Sequence, residues 1–213
     1  RRGMIKAGLW RFKKSAPAHR AWRERRSCVG ALIQLDGSDH DWFEGRGPLC
    51  VLMGYVDDAT GTVYARFYEY EGTLPAMDGF KRYIRLYGLP QSVYLDRHST
   101  YKSMAKQSIE EELNDIRPMS HFEKSLDELG VEVIHAYSPQ AKGRVERLFG
   151  TFQDRVVKEM RLAGVTNITE GNAFLDGYLP EYNRKYAKEA AQKADFHRPV
   201  VDKRALDTIL SIK

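Results

Sequence analysis

Cysteine is nearly missing: Cys28 and Cys50 are the only two in 213 residues. They stand in no paired metal-ligand spacing, which argues against a disulfide framework and a structural zinc site and sets the expectation of reduced thiols inside a cell. No apolar run approaches the roughly 20 residues that cross a bilayer, and the basic, polar start lacks the apolar stretch of a secretory signal. A cytoplasmic protein with no membrane role is therefore expected. Internal repeats, low-complexity tracts, Gly-rich phosphate loops and nucleophile elbows are also absent. What is present, 42% hydrophobic and 30% charged residues, suits one domain of ordinary size plus an appendage.

Positive charge is concentrated at one end. Of the net +5, residues 1–26 hold ten Lys or Arg against the single acid Glu24, or +9, so the remainder carries −4. Such an arm, with Arg23, Arg25 and Arg26 at its end and Trp10, Phe12 and Trp22 interleaved, suits a polyanion, because neutralised phosphates release condensed counterions. Three segments follow: a basic arm or linker over 1–29, a globular core over 30–186, and a weakly patterned tail over 187–213 to which no function is assigned.

Within the core, Ala31 to Asp36 forms a short apolar run ending in an acid, followed by an acid-rich loop from Gly37 to Gly47. Leu49 to Val56 and Thr62 to Tyr70 read as strands joined by a hairpin in which Asp57 and Asp58 are turn formers. Leu74 to Tyr87 has helical spacing and stops at Gly88 and Pro90. Ser92 to Asp96 repeats the pattern of a strand ending in aspartate. Two strands joined through a helix pair in parallel by a right-handed crossover, which would bring Asp36 and Asp96 to one end of a sheet. Lys102 to Leu129 reads as mostly helical, Val131 to Tyr137 as a fifth strand, and helices follow from Ser138-Pro139 to about Leu162 and from Thr169 to Tyr186.

On the long helix, Leu148, Phe149, Phe152, Val156, Met160 and Ala163 share one direction with Val145, while Glu146 stands at the border of that stripe and Arg144 and Arg147 point toward solvent. Gly143 and Gly150 leave backbone open on the Glu146 side. Gathering Asp36, Asp96 and Glu146 is costly without a cation, and carboxylates with no Cys or His partner suit Mg²⁺ or Mn²⁺. Two such ions about 3.5 to 4 Å apart support in-line displacement at phosphorus. His40 and His98 are read as hydrogen-bonding loop residues, not zinc ligands.

The segment Ser138-Pro139-Gln140-Ala141-Lys142-Gly143-Arg144-Val145-Glu146-Arg147 resembles the integrase-type catalytic core of bacterial insertion-sequence transposases. Gln34-Leu35-Asp36-Gly37-Ser38, Val56-Asp57-Asp58-Ala59-Thr60, Tyr94-Leu95-Asp96-Arg97-His98-Ser99 and Tyr182-Asn183-Arg184 resemble it in the same order. The resemblance implies a ribonuclease H-like α/β fold with a five-stranded mixed sheet flanked by helices, and a DDE triad on Asp36, Asp96 and Glu146. It further implies DNA contacts from Gln140 and Lys142, magnesium-dependent strand cleavage and transfer at transposon ends, and oligomeric assembly on DNA. The spacing between Asp96 and Glu146 exceeds that of retroviral relatives, which brings in Glu123 and Glu128 as rival acids. Members of this family carry a helix-turn-helix region before the core and often a small β domain after it, so a fragment is expected. Two other readings fit the same residues: a noncatalytic DNA-binding remnant, and a plain nuclease of this fold.

Overall fold

The computed structural model describes residues 24–95, 119–135, 143–199 and 202–211. Strict alternation sets its central strand, β1 (Ile33–His40): Ile33 and Leu35 enter one core, while Gln34, Asp36 and Ser38 take the opposite face. β2 (Cys50–Asp57) pairs with it antiparallel and is buried at every position. β3 (Val63–Tyr68) closes that edge. After helix α1 (Thr73–Tyr87), β4 (Ser92–Leu95) joins β1 in parallel, and β5 (Glu132–His135), entered through the short helix α2 (His121–Glu128), joins β4 in parallel. The sheet order is β3-β2-β1-β4-β5, so the fold is the five-stranded mixed α/β sheet that was expected.

Each face has its own core. Met77, Phe80, Tyr83 and Ile84 of α1, with Phe122 and Leu126 of α2, cover Leu35, Met53 and Tyr55. On the other face α3 (Gly143–Leu162) and α4 (Ile168–Tyr186) cover Leu52, Val56, Ala65 and Phe67. The buried stripe of α3 is Val145, Leu148, Phe149, Phe152, Val156, Val157 and Met160. Val157 joins the expected set, whereas Ala163 is exposed because the helix has already ended.

Polar side chains finish what the apolar pattern leaves open. Ser120 and Glu123 form a reciprocal capping box at the start of α2. Asn172 and Asn183 of α4 each donate to and accept from the backbone of edge strand β3, at Phe67 and Val63, over 2.8 to 3.1 Å. That satisfies groups through which an open edge would recruit another strand. The tail returns to the body: Arg198 exchanges backbone hydrogen bonds with Leu89, and helix α5 (Lys203–Ile209) buries Leu206, with Leu210 beside it, in the α1-side core.

Candidate active site

Asp36 is not at a strand end. β1 runs on to His40, so the expected loop from Gly37 begins later and Asp36 sits half-buried in mid-strand, opposite Gly54 of β2. The reason is the partner: β2 continues the antiparallel ladder with β1 to Cys50. The cross-strand glycine matters here. A Cβ on Gly54 would lie 3.0 Å from the Phe149 ring, so glycine lets α3 settle against the strand that carries Asp36.

Polar contacts lock α3 to β1 on both sides of Asp36. The Val145 N–H donates to Gln34 Oε1 at 3.3 Å, and Gln153 Nε2 donates to Ser38 Oγ at 3.1 Å. Four strand residues advance about 13 Å and eight helical residues about 12 Å, so helix and strand run side by side between these points. Gln153 and Glu146 differ by only about 20° around the helix, which puts Glu146 on the flank that reaches toward β1. Glu146 itself is exposed. A Cβ added at Gly143 or Gly150 would meet nothing within 4 Å among the described residues, so this flank is open as expected.

Asp58 is the residue that sequence reasoning undervalued. Instead of only turning a hairpin, it is fully buried and accepts from Gln34 Nε2 at 2.7 Å, Arg144 Nη1 at 2.8 Å and the Arg26 N–H at 2.8 Å. One carboxylate thus joins the segment before the core, the strand of Asp36 and the first turn of the helix of Glu146. Arg144 is correspondingly not a solvent-facing cation, its side chain being 11% exposed. Asp57 does serve the turn, accepting from the N–H and hydroxyl of Thr60, and also from the N–H of Gly30. Two adjacent acids after a strand were the available signal, but spacing alone does not separate a turn former from a buried hub.

The other expected residues divide as follows. Asp96, Gln140, Lys142, Arg23 and His98 lie outside the described residues. Arg25 spans back to the carbonyl oxygens of Asp58 and Ala59, both at 3.1 Å, and Arg26 uses its backbone on Asp58. Glu123 is buried in the α2 cap and lies 3.0 Å from His135 Nε2, and Glu128 is on the same helix. That helix packs in the layer opposite to the one Asp36 faces, a poor position from which to replace Glu146. No group of three His, Cys, Asp or Glu suited to a metal occurs among the described residues. No helix among them is long and apolar enough to cross a membrane.

No family model matches the chain. Over 201 residues, 94% of this chain and 43% of the relative, it is 39% identical to "Putative transposase y4bF" of Sinorhizobium fredii (strain NBRC 101917 / NGR234). Over 169 residues, 78% of this chain and 35% of the relative, it is 29% identical to "Transposase for insertion sequence IS1202" of Streptococcus pneumoniae. The chain thus spans less than half the length of either relative. Among solved structures it superposes with a TM-score of 0.62 on a chain of the simian T-cell lymphotropic virus intasome in complex with PP2A regulatory subunit B56 gamma, at 19% identity over 88% of this chain and 62% of that one. On the HTLV-2 integrase catalytic core domain in complex with magnesium the TM-score is 0.57, at 16% identity over 81% of this chain and 100% of that one. At such identities the structural likeness is one of fold. By sequence the chain is similar to transposases, one of them of an insertion sequence, and by architecture it has the ribonuclease H-like fold of integrase catalytic cores.

Proposed function

We propose that the chain is the catalytic core of a DDE-type polynucleotidyl transferase that cleaves and joins DNA strands at transposon ends, with Asp36, Asp96 and Glu146 as its acids. The observation that carries this reading is the parallel register of β1 and β4. Gln34 pairs with Tyr94, and Asp36 and Asp96 each follow that pair by two positions in sequence. The helix of Glu146 is meanwhile tied to β1 on both sides of Asp36. Two relatives named as transposases support the reaction class.

The donor set is all carboxylate oxygen, which fits Mg²⁺ or Mn²⁺. A magnesium complex of an integrase core with this fold supports the same choice. Two divalent ions, when bound, polarise the scissile phosphate and lower the pKa of the attacking oxygen. The protein's own part is to hold the acids: Gln34 and Ser38 fix α3 along β1, and Asp58 anchors the turn next to Glu146. Residues 1–29 serve as a DNA-holding arm, through Arg23, Arg25 and Arg26, for the core at 30–186 and the segment at 187–213. Gln140 and Lys142 contact DNA beside the site. The partners are transposon-end and target DNA and further copies of the chain, as solved dimeric and intasome forms of integrases support, and the setting is the bacterial cytoplasm, at the nucleoid.

The test is metal-dependent joining of labelled oligonucleotides by Asp36→Asn, Asp96→Asn and Glu146→Gln. Each abolishes joining while melting temperature and DNA binding stay near those of the unaltered chain. Full joining by any one of them rejects its assignment. Mn²⁺ titration calorimetry separates an enzyme from a DNA-binding remnant, and a nuclease is recognised by water alone, not a 3′ hydroxyl, acting as nucleophile.

A further inference from the structure

Beside Glu146 the surface deepens into a cleft that the reaction itself does not require. It encloses about 300 Å³ between the β2–β3 turn, α3 and the end of α4. Arg25, Arg147 and Lys188 line it together with Arg144, whose charge is already paired with the buried Asp58, and no carboxylate lines it among the described residues. Thr60, Thr151, Tyr182 and Tyr186 share the walls. The volume is at the small end of ligand clefts, too small for a duplex to enter but enough for one backbone segment to lie in.

Three features converge on it. Arg147 and Thr151 also border the hollow that contains Glu146, so the two depressions adjoin. Arg25 is the last stretch of the +9 arm, which therefore meets the body at this cleft. At the far end stands Tyr186. Burial works the other way, but hydrogen bonds from Lys185 and Arg155 hold its phenol below the ordinary tyrosine pKa, a sign of locally positive potential.

We propose that this cleft is a backbone track: it seats the sugar–phosphate strand of the bound DNA beyond the reacting phosphodiester, leading it from Glu146 past Arg147 to Lys188 and the arm. The assignment rests on the DNA-processing reading above and adds Arg147, Tyr186 and Lys188 to it. Cations along a groove that no acid lines fit phosphodiester oxygens repeated along a strand. Contacts of this kind position DNA without reading its sequence.

The experiment is fluorescence anisotropy of the full chain with a labelled DNA duplex in metal-free buffer, across a salt series. The paired variant Arg147→Gln with Lys188→Gln should bind about tenfold more weakly at moderate salt and flatten the log affinity against log salt slope by about two, whatever the DNA sequence. Lys188→Gln alone, at an exposed position, should flatten it by about one. The matched pair Lys124→Gln with Lys193→Gln, exposed elsewhere, should leave the slope nearly as it was. Equal flattening by both pairs, or none by the cleft pair, overturns the track. A synthetic acidic peptide that competes with DNA only through Arg147 and Lys188 would overturn it too, in favour of a protein partner. A failed track shows in this binding slope, whereas a failed catalytic assignment shows as strand joining by Asp36→Asn, so the two failures give different results.

Discussion

The two faces of the sheet are built by different means. On the α1 side, cohesion comes from apolar and aromatic contact: Phe80 is fully buried, stacks at 6.2 Å on Tyr83 and meets Phe122 edge-on at 5.8 Å. On the α3 side apolar packing is just as dense, but a row of polar groups, Gln34, Ser38, Asp58, Arg144 and Gln153, runs through it beside Asp36. Area burial tolerates small displacements, whereas hydrogen bonds fix register. The face that carries Asp36 and Glu146, the acids of the proposed site, is the one that uses them.

Substitutions on the two faces should therefore fail differently. Asp58→Ala leaves the largely buried Arg144 without its carboxylate and is expected to cost about 3 to 5 kcal/mol. Chemical denaturation would read that loss, and strand joining per folded molecule should fall as well, since the anchor of the Glu146 turn is gone. Phe80→Ala should also cost about 3 kcal/mol through the cavity it opens, yet joining per folded molecule should persist. Loss of specific activity in Phe80→Ala equal to that in Asp58→Ala would erase the distinction. The smallest effect concerns Cys50. Burial, then the nearby Asp41 and Asp39, push its thiol up to about 12. A raised thiol pKa means the unreactive protonated form dominates at pH 8, so alkylation there should be slow until denaturant exposes the side chain.

Much of this was legible in the sequence. The parallel pairing of β1 and β4 followed from two apolar runs separated by a helix, and the buried stripe of α3 from its 3.6-residue period, with only Val157 and Ala163 misplaced. Less legible was the extent of β1. A strand whose second half, Asp36 to His40, is polar or glycine has no apolar alternation to mark its end, and only pairing with β2 carries it to His40. The tail was likewise opaque, because Leu206 and Leu210 are too few to announce a core-facing helix until α1 offers them a surface.

Residue order and periodicity by themselves determined the class of fold, the cationic arm and the three candidate acids, because these depend on local patterns that any window of the chain displays. Tertiary structure alone decided that Asp58 is a buried hub, that Arg144 turns inward and that the cleft of Arg147 and Lys188 adjoins the hollow of Glu146. The physical reason is separation along the chain: Gln34, Asp58, Arg144 and Lys188 share no sequence window, and whether a charge is solvated or paired depends on which distant neighbour folding brings to it.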